Sequence, residues 1–278
     1  MSTSEPHDGV RPDGAFDVVV GGYDAVYPAV AASPTFRQVW AKHAYGGEFP
    51  EAYAHISFLT LDELRAMAKH LALDEDGLLV DLACGAGGPG LWTASQAGAS
   101  LIGIDPSATG LAEARRRAER VGFAARAHYE RGTFATTGLD DGAADGVLSV
   151  DAIQYASDKL AVFAEAHRIL RPGGRLAFSA FELEPERVEG LPVLGVDAVA
   201  DYAPLLAHAG FDVDWYRESD GWAERVPATF RAVVDAMPTL MDEMGEAASS
   251  ALAMEASLTL EYQPYRRRVV VAAHRGDG

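Results

Sequence analysis

The run LLVDLACGAGGPG, residues 78–90, constrains this chain more than any other feature. Leu78, Leu79 and Val80 form a short continuous apolar segment of the kind buried on both faces of a parallel sheet. Asp81 closes that strand and a glycine-dense turn follows. Glycines at 85, 87 and 88 let the backbone turn sharply and bring a ligand against bare peptide groups. Pro89 falls where a helix would start, a place that tolerates proline because the first helical N–H groups have no intrahelical partner. A second apolar run, ASLIGID, ends at Asp105, 24 residues beyond Asp81. An acid there, at the tip of the neighbouring strand, is placed to accept hydrogen bonds from a ribose diol. The pattern predicts a nucleoside-binding crevice at the carboxyl ends of two adjacent parallel strands.

Charge selects the nucleoside. Residues 85–90, GAGGPG, satisfy G-x-G-x-x-G, the dinucleotide fingerprint, and on that alone an NAD-dependent oxidoreductase is one reading. Asp81 stands directly before the loop, however, and a carboxylate is a poor neighbour for a pyrophosphate. It suits a cation. S-adenosylmethionine (SAM) carries a sulfonium and an ammonium and no phosphate, and Asp81 can accept from the ammonium directly or through water.

These residues resemble a known family. D-x-A-C-G-x-G-G at 81–88 is similar to motif I of class I SAM-dependent methyltransferases, and Asp105 resembles the ribose-binding acid of that family. The run HRILRPGGRLAFSAFE, 167–182, resembles the segment in which a helix ends and feeds the fifth strand. The likeness covers about residues 78 to 182, and the flanks are more loosely similar to small-molecule methyltransferases of the ubiquinone, sugar and natural-product type. It implies a SAM site made of Asp81, Ala83, Cys84, Gly85, Gly87, Asp105, Pro106, Gly132, Thr133, Phe134, Ser149 and Asp151, with Tyr23 and Ser57 added from a cover.

The chain departs from the family in three places. HISFLT, 55–60, occupies the position of a His-x-Gly-Tyr-Trp-like cover, and only His55 matches. A Ser57 hydroxyl can still reach a methionine carboxylate. Gly132-Thr133-Phe134 replaces an acid that meets the adenine amine, so backbone groups or the Thr133 hydroxyl must read the adenine edge while Phe134 packs on the ring. Gln154-Tyr155 stands where relatives often carry His-His, which removes the most obvious general base.

Composition bounds the rest. At 278 residues and 49% hydrophobic, the chain can bury one sizeable core with an added cap. A net charge of −18 repels nucleic acid and anionic lipid, both of which select for clustered Lys and Arg. The two basic triplets, Arg115–Arg117 and Arg266–Arg268, read as a solvated helix face and the edge of a final strand. Apolar stretches fall short of a membrane span. The polar, Pro/Gly-rich start reads as a disordered tail without a signal sequence, so a cytoplasmic protein is expected. Cys84 is the single cysteine; it cannot form an intramolecular disulfide and reads as small filler in the loop.

Strand and helix signals alternate from residue 78 onward, which predicts an α/β fold: a Rossmann-like, doubly wound, mostly parallel seven-stranded sheet with a helical cap. Expected strands cover 78–81, 99–105, 125–131, 145–151, 175–181, 211–216 and 267–274. The domain reading is a disordered tail at 1–15, a helical N-terminal cap at 16–77, a core at 78–218 and 266–275, and a helical insertion at 219–265. Pro28, Pro34 and Pro50 are expected to interrupt the N-terminal helices, and Pro238 to break the insertion. Thr60-Leu-Asp-Glu63 is a capping-box pattern that should start the helix leading into the core.

Methyl transfer from a sulfonium is an in-line displacement, so positioning is the main device and can supply about 7–11 kcal/mol. A base matters only for an acceptor of high pKa. Tyr155, His43 and His55 are the candidate catalytic residues, with Glu182 a weaker one that reads as a solvated strand end. The expected partner is a small-molecule methyl acceptor, bound beneath a cover made by Tyr23 to Phe58 and Trp222 to Leu260, and the chain is expected to be a monomer or homodimer. A lyase or cyclase on the same scaffold is the alternative, since fold does not fix function.

Overall fold

The computed structural model describes residues 14–188 and 198–276, so the expected tail lies outside the described residues up to position 13. Seven strands, β1 (Leu78–Leu82), β2 (Ser100–Asp105), β3 (Ala127–Arg131), β4 (Ala144–Val150), β5 (Leu170–Leu183), β6 (Phe211–Glu218) and β7 (Arg266–Arg275), form one sheet in the order β3-β2-β1-β4-β5-β7-β6. β7 runs antiparallel to both neighbours and the other pairings are parallel. Strand order reverses between β1 and β4, which opens a crevice beyond their carboxyl ends. The register Leu82↔Ile104 brings the tips of β1 and β2 to one edge, with Asp105 at the end of β2.

Ten α-helices complete the described structure: α1 (Gly14–Ala32), α2 (Pro34–Val39), α3 (Leu61–Leu71), α4 (Gly88–Ala97), α5 (Ala108–Arg120), α6 (Lys159–Ile169), α7 (Pro185–Val188), α8 (Ala203–His208), α9 (Trp222–Asp235) and α10 (Met237–Tyr262). Side chains that alternate along the strands bury on opposite faces of the sheet. Val80, Val147, Phe178 and Val271 pack with α6 and α8, while Leu79, Leu148, Ala177 and Val270 pack with α3, α4 and α5. A third cluster, including Phe36, Trp40, Phe58, Phe181, Phe230 and Leu252, joins the N-terminal helices to α9 and α10. The helix starts follow local chemistry. Thr60 and Glu63 form the full capping box of α3, Ser107 caps α5 through the Gly110 N–H, and Asp158 caps α6 through the Ala161 N–H.

Several expectations are corrected. Pro28 lies inside α1 without ending it, because packing on α10 and α5 carries the helix past the lost hydrogen bond. Pro238 does break the insertion, between α9 and α10, where it sits in the first turn of α10 at no cost in hydrogen bonds; a further bend, not expected, comes at Gly245 (φ 78°, ψ 169°). The third strand begins at Ala127, two residues late, and the fifth runs back through the Arg-Pro-Gly-Gly turn to Leu170. The first basic triplet is not a simple solvated face, since Arg117 is buried and donates to the Ala54 carbonyl; the second does open the last strand, β7, with Arg268 fully buried.

Candidate active site

The glycine loop between β1 and α4 turns through three left-handed residues, Ala83 (φ 56°), Gly85 (φ 51°) and Gly87 (φ 76°). Ala83 accepts a conformation that is costly for a side-chain residue, a mark of a functional turn. Asp105 fixes this loop from below. Its carboxylate accepts the Gly85 N–H at 2.8 Å and the Ser107 N–H at 2.8 Å, joining the loop to the start of α5. Burial raises its pKa to about 6, against the pull of those two amides.

Asp81 lies deeper. It is buried under α4, where the Gly90 N–H donates to it and a side chain at Gly90 would collide with it. Its Oδ2 has no partner, and burial next to Asp105 raises its pKa to about 8. Sealed in this way, its carboxylate holds the loop from within and stands outside the lining of the cavity described below.

α1 crosses above the loop. Asp24 accepts from the Ser107 and Thr109 hydroxyls at the start of α5. One turn on, the Tyr27 ring lies against Gly85, so that any side chain there would run into it. Tyr23 stacks on Tyr27 at 5.7 Å and donates from its hydroxyl to that of Tyr155 at 3.3 Å.

Beneath this cover a cavity of about 1360 Å³, counting its open mouth, extends from the β-strand tips to α10. At one end lie Ala83, Asp105, Pro106, Ser107 and Phe134. At the other, Phe181, Leu183, Val199, Leu258 and Tyr262 make a largely apolar wall, into which Tyr155, Glu255 and Arg266 bring polar atoms. The Arg266 guanidinium sits 4.4 Å over the Phe181 ring, and burial lowers its pKa to about 10.

Behind the cavity runs a buried ion cluster. Arg268 pairs with Asp151 and Glu63 and donates to Ser219 at 2.8 Å. Asp151 in turn accepts the Phe58 N–H at 2.8 Å and the Ser179 hydroxyl at 2.7 Å. The segment Ser57–Phe58 is thereby tied to the end of β4, where Asp151 takes a left-handed conformation (φ 48°).

Of the residues expected at a cofactor, Tyr23, Ser57, Ala83, Asp105, Pro106, Phe134 and Asp151 line the cavity. Asp81, Cys84, Gly85, Gly87, Gly132, Thr133 and Ser149 stand outside its lining. Cys84 is buried against Gly103, Thr133 closes a tight turn with Thr136, and the Ser149 hydroxyl donates to the Leu82 carbonyl. Among the catalytic candidates only Tyr155 lines the cavity. His43 sits in the turn after α2, away from it. His55 is half-buried between Tyr45 and Phe49 with Nδ1 2.7 Å from the Ser57 hydroxyl, and desolvation of its ring lowers its pKa to about 3, which keeps it neutral. Glu182 is a buried partner of Arg267 and Tyr216.

The sequence reading missed Glu255, Arg266 and the wall residues Phe181, Leu183, Val199 and Tyr202. Glu255, Leu258, Thr259 and Tyr262 repeat at i, i+3, i+4 and i+7, one face of α10, and that spacing was available as a signal.

Residues 80–178 match the family model described as a methyltransferase domain. The chain is 27% identical over 202 residues to the 27-O-demethylrifamycin SV methyltransferase of Amycolatopsis mediterranei, covering 69% of this chain and 72% of that one. It is also 27% identical over 179 residues to methyltransferase GfsG of Streptomyces halstedii, covering 60% and 63%. The solved structure of the [4+2]-cyclase SpnF superposes with a TM-score of 0.75 at 20% identity, over 94% of this chain and 96% of that one. That last likeness is one of fold, which many chemistries share.

Proposed function

We propose that this chain, a class I SAM-dependent methyltransferase in domain and fold, transfers a methyl group to a bulky, largely apolar small molecule of natural-product type. One observation carries the reading: a single cavity runs from the Asp105 end of the glycine loop to a largely apolar wall.

The residues present fit the cofactor. Asp105 and Pro106 stand at the tip of β2 for the ribose, and Phe134 packs where an adenine ring would lie. Ala83 and Ser57 face the cavity at the methionine end. When bound there, SAM supplies an electrophilic methyl group on a sulfonium. The chain supplies position and dryness. Tyr23, Tyr27 and Phe58 roof the cavity, and Asp151, held by Arg268, fixes the Phe58 backbone. Excluding water strengthens each polar contact within and blocks hydrolysis. With both reactants held in line, such positioning is worth about 7–11 kcal/mol.

Binding of SAM and of NAD, measured by calorimetry, tests the cofactor. SAM or S-adenosylhomocysteine should bind and NAD should not. Incubation with SAM and 27-O-demethylrifamycin SV, the acceptor named for the Amycolatopsis relative, tests the transfer through release of S-adenosylhomocysteine. Product formed from an acceptor without that release would favour a cyclase or lyase.

A further inference from the structure

A second cavity, of about 400 Å³, lies between α1 and α10 and abuts the first. Val19, Tyr23, Tyr155 and Glu255 line both. Three of these four carry exchangeable protons. The Tyr23 hydroxyl donates to the Tyr155 hydroxyl at 3.3 Å, and Glu255 stands beside this pair on the lining of both cavities. The outer cavity is otherwise apolar and ends beside the exposed Met254.

We propose that Glu255 is the general base of the transfer, reached through Tyr155, and that the crevice between α1 and α10 is the route by which the proton leaves. The inference rests on the methyltransferase reading above and deepens it: the acceptor atom is a hydroxyl oxygen, whose proton must be removed. In the step, the acceptor oxygen forms a bond to the methyl carbon as the carbon–sulfur bond breaks and its electron pair returns to sulfur. The hydroxyl proton passes to the Tyr155 oxygen while the Tyr155 proton passes to Glu255. A neutral ether, a neutral thioether and a protonated carboxyl result, and Glu255 releases its proton to solvent on the α10 side.

The surroundings suit this role. Glu255 faces Tyr23 from α1, Tyr155 from the 3-10 turn Ile153–Tyr155, and Arg266 from β7. Burial raises its pKa to about 7, with Arg266 restraining the rise, and a base works best when poised near the operating pH. Burial and the nearby Glu255 push the Tyr155 phenol upward, so Tyr155 stays neutral and gives up its own proton only as it takes up the acceptor's.

The experiment compares the full chain with Glu255→Gln and Tyr155→Phe. Infrared titration with saturating S-adenosylhomocysteine should show a protonated carboxyl that titrates near pH 7 and is missing from Glu255→Gln. With SAM and 27-O-demethylrifamycin SV, kcat should fall by about 10²-fold or more in Glu255→Gln, the size of effect expected of a general base. The acid limb of kcat/KM should vanish with it, and Tyr155→Phe should show the same loss, while S-adenosylhomocysteine affinity stays unchanged in both. A carboxyl spectrum identical in wild type and Glu255→Gln overturns the proposal, whether or not this acceptor is turned over. So does an unchanged kcat with the acid limb retained. Failure of the methyltransferase reading looks different, because none of the three proteins would then bind S-adenosylhomocysteine.

Discussion

The Arg268 Nε donates to both carboxylate oxygens of Asp151, at 3.0 and 3.2 Å, in a place that solvent does not reach. The pair links β7, at the far side of the sheet, to the tip of β4 and through it to the Phe58 amide of the roof. Removing one partner strands two buried carboxylates, Asp151 and Glu63. Arg268→Met should therefore cost about 3–5 kcal/mol, read as a lower urea midpoint. A variant as stable as wild type would show that the cluster adds nothing to the fold.

Asp105 holds Gly85 and Ser107 and lines the cavity, where the proposed function has it meet the ribose. Asp105→Ala should weaken SAM binding by on the order of 1.5–3 kcal/mol, about 10- to 150-fold. Turnover at saturation should change little. Calorimetry that finds unchanged affinity would reduce Asp105 to a tie between loop and helix.

His55 links folding to acid. Its folded pKa, about 3, lies below the ordinary value of 6.5, so the stability it confers is present above pH 6.5 and is lost as pH falls toward 3. His55→Gln should flatten that part of the stability curve. Urea midpoints measured from pH 7 down to pH 4 should drop less in the variant, and parallel curves would contradict the assignment.

Asp81 acts with the opposite sign. Its folded pKa, about 8, lies above the ordinary 3.8, so the folded state keeps a proton that the unfolded chain has already released. Stability present below pH 3.8 is lost as pH rises toward 8. Asp81→Asn removes this titration, so its thermal midpoint relative to wild type should climb between pH 5 and pH 8. A constant difference would mean that Asp81 is ionised in the folded protein.

What the sequence disclosed was local. The loop from Leu78 to Gly90, the acid at Asp105 and the capping box at Thr60 and Glu63 each rest on chemistry within a few residues, and each appears in the fold. What it concealed depends on distant pairing. Arg266, Arg267 and Arg268 look alike in sequence, yet the pleat of β7 turns Arg267 away from the face shared by the other two, which differ in position along the strand. Arg266 faces the cavity, Arg267 pairs with Glu182, and Arg268 enters the core. Only the antiparallel register of β7 with β5 decides which is which. Glu255 was hidden for a related reason, because its partners Tyr23 and Tyr155 lie more than 90 residues away along the chain.

α1 and α10 pack on each other above the sheet and take no part in its register. The cofactor end of the cavity comes from residues 83–134, whereas these two helices bring Tyr23, Glu255 and Leu258 to the other end. On the proposed function, acceptor choice is divided between these two helices and the strand residues Phe181, Leu183 and Arg266, and the helical share can be rewritten without disturbing the sheet.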